Sequence, residues 1–327
     1  MATYYVDPAA TGDNDGSSWA NAWTSLQTAA DTAVAGDTVY CRGTQTLAVA
    51  IFFGTNSGRA GSMIKFIGCN AAGAVDGSHF VLDGQSNNVN ILYINVSGLH
   101  FANLEIKNAG GSSHGIASTS TAYRNYFIFD NVYIHNCGGE GCYARYLRYA
   151  VYYRCRFDSN GGPGLYYGND SLLVCCAIQN NSSYGLQSAG TSAPLRAAYS
   201  CVITGNTNNG LPPGGVTFAC NCVSHDNGTY GAYSSIYASV IMASRITENV
   251  QGGIYGNSNS YIAVIGCYLG GHGSDIVLHA TNAQKVDLGE VTVYGGTDTG
   301  HGYVNAATGD FNLADEASLY SEAIALP

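Results

Sequence analysis

From about residue 104 onward the chain repeats itself, and a fixed period of roughly 20–50 residues commits a chain to a solenoid or an array more firmly than any other feature. Each unit opens on an apolar residue followed by a small polar turn. The openers Ile106, Ile134, Phe157, Ile178, Ile203, Val223, Ile246 and Leu269 are spaced 28, 23, 21, 25, 20, 23 and 23 residues apart. A second landmark keeps step: Gly115, Gly141, Gly164, Gly185, Gly210, Gly231 and Gly253, five of which fall seven residues after their opener. A third short apolar run then closes each unit, as at 126–129, 150–153, 172–174, 216–218, 240–242 and 261–265. Helical repeats of this length would need amphipathic runs free of Gly, and none is present. Three strands per turn of ~23 residues predict an all-β chain, a single-stranded parallel β-helix. Its hand is expected to be right, the rule for parallel crossovers.

In such a coil like positions stack into ladders along the axis, about 4.8 Å apart. Two residues before the opener the ladder reads Cys155, Cys176, Cys201, Asn221, Ser244 and Cys267. Alternation puts these on the side of the opener, facing inward, where Cys acts as a small hydrophobe. A disulfide between neighbours is permitted by spacing. Three residues after the opener, Asn160, Asn181, Asn206, Asp226 and Asn249 form a second ladder suited to a turn.

One domain is expected over residues 1–327, with a leading strand and cap helix in 1–40, coils in 41–300 and a closing segment in 301–327. Trp19, Ala22, Trp23, Leu26, Ala29, Ala30 and Ala33 lie at helical spacing and end at Gly36, which predicts one short amphipathic helix covering the open end of the coil. Tyr4-Tyr5-Val6-Asp7-Pro8, Gly12 to Gly16, Trp23, 26–29 and 36–40 together resemble the leading segment of right-handed parallel β-helix repeat proteins, the pectate-lyase-like superfamily. Gly309-Asp310-Phe311-Asn312-Leu313 is similar to the closing segment of that family, which includes polysaccharide lyases and many phage-encoded proteins. The resemblance implies a fold and leaves the chemistry open.

The outward positions flanking the opener carry the densest set of ionisable groups: Glu105 and Lys107, Tyr133 and His135, Arg156 and Asp158. Higher turns place Ala177 and Gln179, then Val202 and Thr204, at the same positions. Lys107, His135, Arg156 and Asp158 are the candidate catalytic residues. A base among them could abstract the proton α to a uronic carboxylate while a cation neutralises that carboxylate. An inverting hydrolase would instead use Glu105 and Asp158 as its two carboxylates. Alternatively, these charges compensate one another across strands. Glu105, Tyr133, Tyr152, Tyr166 and Tyr167 are the candidate ligand-binding residues, since phenol rings suit stacking on sugars and are also common in sheets. His114 and Glu140 are expected to stack at one corner. Two Gly-His-Gly triplets, at 271–273 and 300–302, resemble a motif of polygalacturonase-type glycosidases, but the other motifs of that family are missing.

Composition narrows the partners. The net charge of −10 argues against nucleic acid, which demands clustered Lys and Arg. No run of about 18 uncharged apolar residues exists to cross a bilayer. Charged residues are only 10% against 46% hydrophobic ones, which excludes a disordered chain. No cofactor is expected, with calcium as the alternative. Asp13-Asn14-Asp15-Gly16 has the oxygen-rich look of a calcium turn but lacks the later Glu of a complete loop. The N-terminus shows no secretory signal, and eleven cysteines without a CxxC pair suggest reduced thiols, so the expectation is assembly in the cytosol and then a place on a virion or outside the cell. Two functions fit. One is an adhesive or virion-associated protein of the phage tail or head appendage type, whose rigid face meets host-surface polysaccharide and whose other partners are virion proteins. The other is a lyase or glycoside hydrolase acting on an acidic polysaccharide at the Glu105–Asp158 patch. A monomer and a homotrimer are both compatible with the sequence.

Overall fold

A computed structural model describes residues 1–118, 122–188, 195–211, 216–234, 238–256, 261–271, 276–278, 284–287 and 292–294. The expected closing segment at 301–327 and the residues His272 and His301 lie outside the described residues. All named strand pairs are parallel, and each strand pairs with its counterpart one turn away. Three sheets result. The first stacks Thr3–Val6 on Thr38–Arg42 and continues through Leu147–Tyr153 and Ser171–Val174 to Gln284–Asp287. The second carries the openers, with Ile106, Ile134, Phe157, Ile178 and Ile203 in one register column. The third begins with Ile51–Phe53 and includes Cys142–Ala144, Leu165–Tyr167 and Leu186–Ser188, then continues through a bridge at Leu211 to Tyr230–Ser234 and Gly252–Gly256. This is the parallel β-helix expected from the repeat.

At two of the three bends, among the described residues, the chain turns with a residue in left-handed backbone, glycine included at Gly205 and Gly266, which explains the abundance of Asn, Gly and Ser. Between the first and second sheets this residue is Asn103, Asn131, Arg154, Cys175, Ser200, Asn221 or Ala243, with φ from 45° to 55°. Between the second and third it is Asn108, Asn136, Ser159, Asn180, Asp226 or Glu248, with φ from 53° to 60°. Asn tolerates this conformation because its short amide bonds locally, whereas other L-residues are disfavoured there by about 1–2 kcal/mol.

Register corrects both ladders at one turn. Ile203 pairs with Ser224, and Ser224 with Ile246, so the inward opener of that unit is Ser224 and not Val223. A shift of one residue exchanges the faces of a strand. The sulfur column is therefore Cys155, Cys176, Cys201, Cys222, Ser244 and Cys267, all at most 3% exposed, while Asn221 sits outside at the bend. Every cysteine is a free thiol, and no disulfide forms within the column. The amide column is likewise Asn160, Asn181, Asn206, Asn227 and Asn249, with Asp226 exposed beside it. Each amide donates to the next: Asn160 to Asn181 at 2.9 Å, Asn181 to Asn206 at 2.9 Å, Asn206 to Asn227 at 3.0 Å and Asn227 to Asn249 at 2.8 Å. The repeating glycines pack on this column. A Cβ on Gly164, Gly185, Gly210 or Gly231 would lie 2.6–2.9 Å from the amide nitrogen of Asn181, Asn206, Asn227 or Asn249.

Most of the remaining interior is apolar. Phe66, Phe101, Phe129 and Tyr152 stack at 5.5, 5.7 and 4.9 Å between successive rings. The cap helix is shorter than helical spacing suggested, covering Leu26–Thr32. Ser25 caps it by accepting from Gln27 N–H, and Leu26, Ala29 and Ala30 are buried. Trp23 lies before the helix because its backbone pairs with Tyr5 and Asp7 as a strand edge, and its ring stacks on Tyr4 at 4.7 Å.

Candidate functional site

The second sheet gathers the six ionisable groups as the sequence suggested. Glu105, Tyr133 and Arg156 form one outward column, and Lys107, His135 and Asp158 the other. Within this patch the opposite charges are joined to one another. Lys107 Nζ lies 2.8 Å and His135 Nε2 3.2 Å from Glu105 Oε1. Asp158 is only 7% exposed and accepts from Arg156, from Ser159 Oγ at 2.8 Å, from Asn180 Nδ2 at 3.2 Å and from Gln179 Nε2 at 3.3 Å. Tyr133 stacks on His135 at 4.2 Å and lies under the Arg156 guanidinium at 4.7 Å.

These contacts set the protonation states. Burial raises the pKa of Asp158, but hydrogen bonds from Ser159, Asn180 and Arg156 outweigh it, and the carboxyl is held below its usual value. Glu105 follows the same pattern, burial being outweighed by Lys107 and His135. Burial raises the pKa of Tyr133, which keeps its phenol protonated. Both carboxyls are thus anions at neutral pH, and neither is the proton-loaded acid that an inverting hydrolase requires. They also sit two strand spacings apart, about 9.5 Å along the axis before any lateral offset. The arrangement is the cross-strand compensation of charges.

The candidate ligand-binding residues divide among three places. Glu105 and Tyr133 belong to the second-sheet patch. Tyr152 and Tyr167 are 1% and 2% exposed and point into the core, which removes both from any ligand surface. Tyr152 stacks on Phe129, and Tyr167 lies 5.4 Å beneath the buried Arg196 guanidinium. Of the five, only Tyr166 faces outward from the third sheet, stacked on Tyr143 at 5.1 Å. His114 and Glu140 do meet at the corner of that sheet, Nδ1 to Oε2 at 2.6 Å, and the His114 ring stacks on Tyr143 at 5.2 Å.

The third sheet is where outward aromatic residues collect. The column of Tyr143, Tyr166 and Gln187 continues, across the Leu211 bridge, to Tyr233 and Tyr255. Tyr233 and Tyr255 stack at 4.9 Å, and Tyr230 lies 4.7 Å from Tyr255. At the lower end Arg145 is exposed beside Tyr143 and 5.5 Å over Tyr146, and among the described residues it has no carboxylate partner. Next to it, in the corner toward the first sheet, Tyr126 and Tyr149 stack at 5.6 Å, both about half exposed and both in left-handed backbone. Arg148 lies 5.3 Å over Tyr149 and 5.0 Å over Tyr123 while pairing with Asp170. Bulky residues with positive φ are rare and strained, and such strain concentrates at functional positions. Tyr230, Tyr233 and Tyr255 were not among the sequence candidates, although their places just before and two residues after the repeating glycines could have exposed the column.

Two oxygen-rich clusters bear on cations. Asp15 and Asn14 use their side-chain oxygens on Ser17 N–H and Thr24 N–H, both at 2.8 Å, so the loop at 13–16 is held as a turn by its own bonds. Among the described residues His225, Asp226 and Glu248 bring potential ligand atoms within 4.8 Å of one another at the second bend.

A family profile described as a right handed beta helix region matches residues 50–215, just over half of the chain. No curated protein matches in sequence. Among solved structures the chain is similar to pectate lyase Pel9A at 18% identity, covering 93% of this chain and 82% of that one with a TM-score of 0.58. It is also similar to the A-module of the Azotobacter vinelandii mannuronan C-5 epimerase AlgE4, at 14% identity, 81% and 91% coverage and a TM-score of 0.55. A lacto-N-biosidase from Eubacterium ramulus follows at 12% identity, 90% and 67% coverage and a TM-score of 0.53. At these identities the likeness is one of fold.

Proposed function

The chain belongs to the right-handed β-helix family, and from that premise we propose that it is a polysaccharide-binding protein whose third sheet offers a glycan a rigid aromatic wall. The observation that carries this reading is the outward column from Tyr143 to Tyr255, flanked by the exposed Arg145 and the Tyr126–Tyr149 pair. Phenol rings give flat apolar faces with a hydrogen-bonding rim, and the coil fixes them about 4.8 Å apart per turn at little entropic cost on binding. In this reading the protein is adhesive, a component of a virion or cell-surface appendage that holds host polysaccharide, and its binding needs no cation.

Catalysis at the Glu105–Asp158 patch is the less supported reading, because that patch spends its hydrogen-bonding capacity internally. The resemblance of fold to pectate lyase and to a mannuronan epimerase is what keeps it in view. Glycan-array binding of the intact chain tests the proposal: retention of at least one polysaccharide, lost in a Tyr143→Ala, Tyr166→Ala double variant that keeps its circular dichroism spectrum, is expected. Absence of any retained glycan would overturn it.

A further inference from the structure

The upper end of the aromatic wall differs from the lower end in one respect that determines what can bind there. Tyr184, Asn208, Asn209, Thr229, Tyr230, Tyr233 and Gln251 line an open groove of about 200 Å³. Among the described residues no Lys, Arg, His, Asp or Glu lines it. Its polar groups are amides and hydroxyls, which both donate and accept, and its walls are phenol rings. Asn209, only 7% exposed, is held in one orientation because its Oδ1 accepts from Thr229 Oγ1 and, at 3.2 Å, from Tyr230 N–H. That leaves its Nδ2 group as a donor with no acceptor among the described residues. Tyr233 is backed by Tyr255 at 4.9 Å with the rings 11° from parallel, so its ring is fixed before any ligand arrives.

We propose that this groove is a subsite for an uncharged pyranose unit of the glycan. The inference rests on the reading of the third sheet as a glycan-binding wall and adds the class of sugar. Sites that hold small polar ligands combine aromatic walls with a few fixed hydrogen-bonding groups. A neutral sugar satisfies these amides and hydroxyls without leaving a charge unpaired. A uronate carboxylate placed here would lose hydration and meet no cation, in a chain of net charge −10. The exposed Arg145 lies at the other end of the wall, about four strand spacings or roughly 19 Å away along the axis. The two ends therefore select different units, an uncharged one above and, where the glycan is acidic, its carboxylate below.

Isothermal titration of the intact chain with uncharged hexasaccharides of glucose, galactose and mannose, and with oligogalacturonate and oligomannuronate, tests this. At least one uncharged oligosaccharide should bind, and Tyr233→Ala should weaken it by about fivefold or more, the loss typical of an anchoring aromatic residue. Gln251→Ala, an exposed change that leaves folding intact, should weaken it about twofold or more. Binding confined to the uronate oligosaccharides and dependent on Arg145 would overturn the subsite while leaving the glycan-binding wall in place. Unchanged affinity for uncharged sugars in both variants would do the same. If no oligosaccharide in either group binds, the subsite and the wall fall together.

Discussion

Replacing Asn181 by Ala is the sharpest stability test of the coil, because it removes the middle of the buried amide column. Asn181 Nδ2 donates to Asn206 Oδ1 at 2.9 Å and to Phe157 O at 3.2 Å, and its Oδ1 accepts from Asn160 N–H at 3.1 Å and Asn160 Nδ2 at 2.9 Å. Four bonds vanish at a residue that is 1% exposed. A net contribution of about 1 kcal/mol for each gives an expected loss of about 4 kcal/mol. Two donors of Asn160 are left without that acceptor in the interior, and the Cβ of Ala cannot replace it. Whole domains are stable by only about 5–15 kcal/mol, so the loss is a large share. The adjacent Asn180 is the control. Its side chain makes one 3.2 Å bond to Asp158, and its φ of 55° disfavours Ala, so Asn180→Ala should cost about 1–2 kcal/mol. Equilibrium urea unfolding followed by far-ultraviolet circular dichroism would rank the two. A loss at Asn181 within about 0.5 kcal/mol of zero, or smaller than that at Asn180, would refute the buried column.

Three further outcomes are expected. A thiol-specific disulfide reagent should titrate one cysteine rapidly, the exposed Cys175, then the partly buried Cys220 slowly, and the other nine only on unfolding. Cys201 resists because its bond with Cys176 and burial push its thiol up to about 12, and burial pushes Cys137 up to about 11, so a second rapid thiol would contradict the packing. Asp158 and Glu105 have folded pKa values below their unfolded ones, so they stabilise the fold above the unfolded values and lose that effect as pH falls through the folded ones. Thermal midpoints should therefore drop as pH falls below about 4, less steeply in Asp158→Asn than in the wild type, and identical slopes would exclude the linkage. Finally, a Lys107→Ala, His135→Ala double variant should bind glycans as the wild type does and form no more or fewer unsaturated or reducing ends; a loss of product would assign catalysis to the second sheet.

Much of the fold can be read in the sequence because each ladder repeats one residue type at one offset. Cys155, Cys176 and Cys201, or Asn160, Asn181 and Asn206, announce their stacking before any coordinate is known. The reading slips where two apolar or polar choices sit side by side. In the unit at 223–227 the apolar Val223 attracts the opener, yet Ser224 is inward, because its hydroxyl donates to Gly231 O at 2.8 Å and so satisfies itself in the core. Tyrosine is ambiguous for a related reason. Tyr152 and Tyr153 are neighbours, and only pairing with Phe129 and Asp130 shows that the first is inward and the second outward. The candidate patch on the second sheet was visible as a cluster of charge, but its internal pairing depends on side-chain geometry. The upper groove was hidden because its residues come from four units, at 184, 208–209, 229–233 and 251, each unremarkable in its own turn.

The most direct measurement is a crystal structure of the chain soaked with an oligosaccharide that it retains in solution. The account predicts sugar density along the third sheet, in contact with Tyr143 and Tyr166 or with Tyr230 and Tyr233. Density lying instead across Glu105, His135 and Asp158 on the second sheet would contradict it.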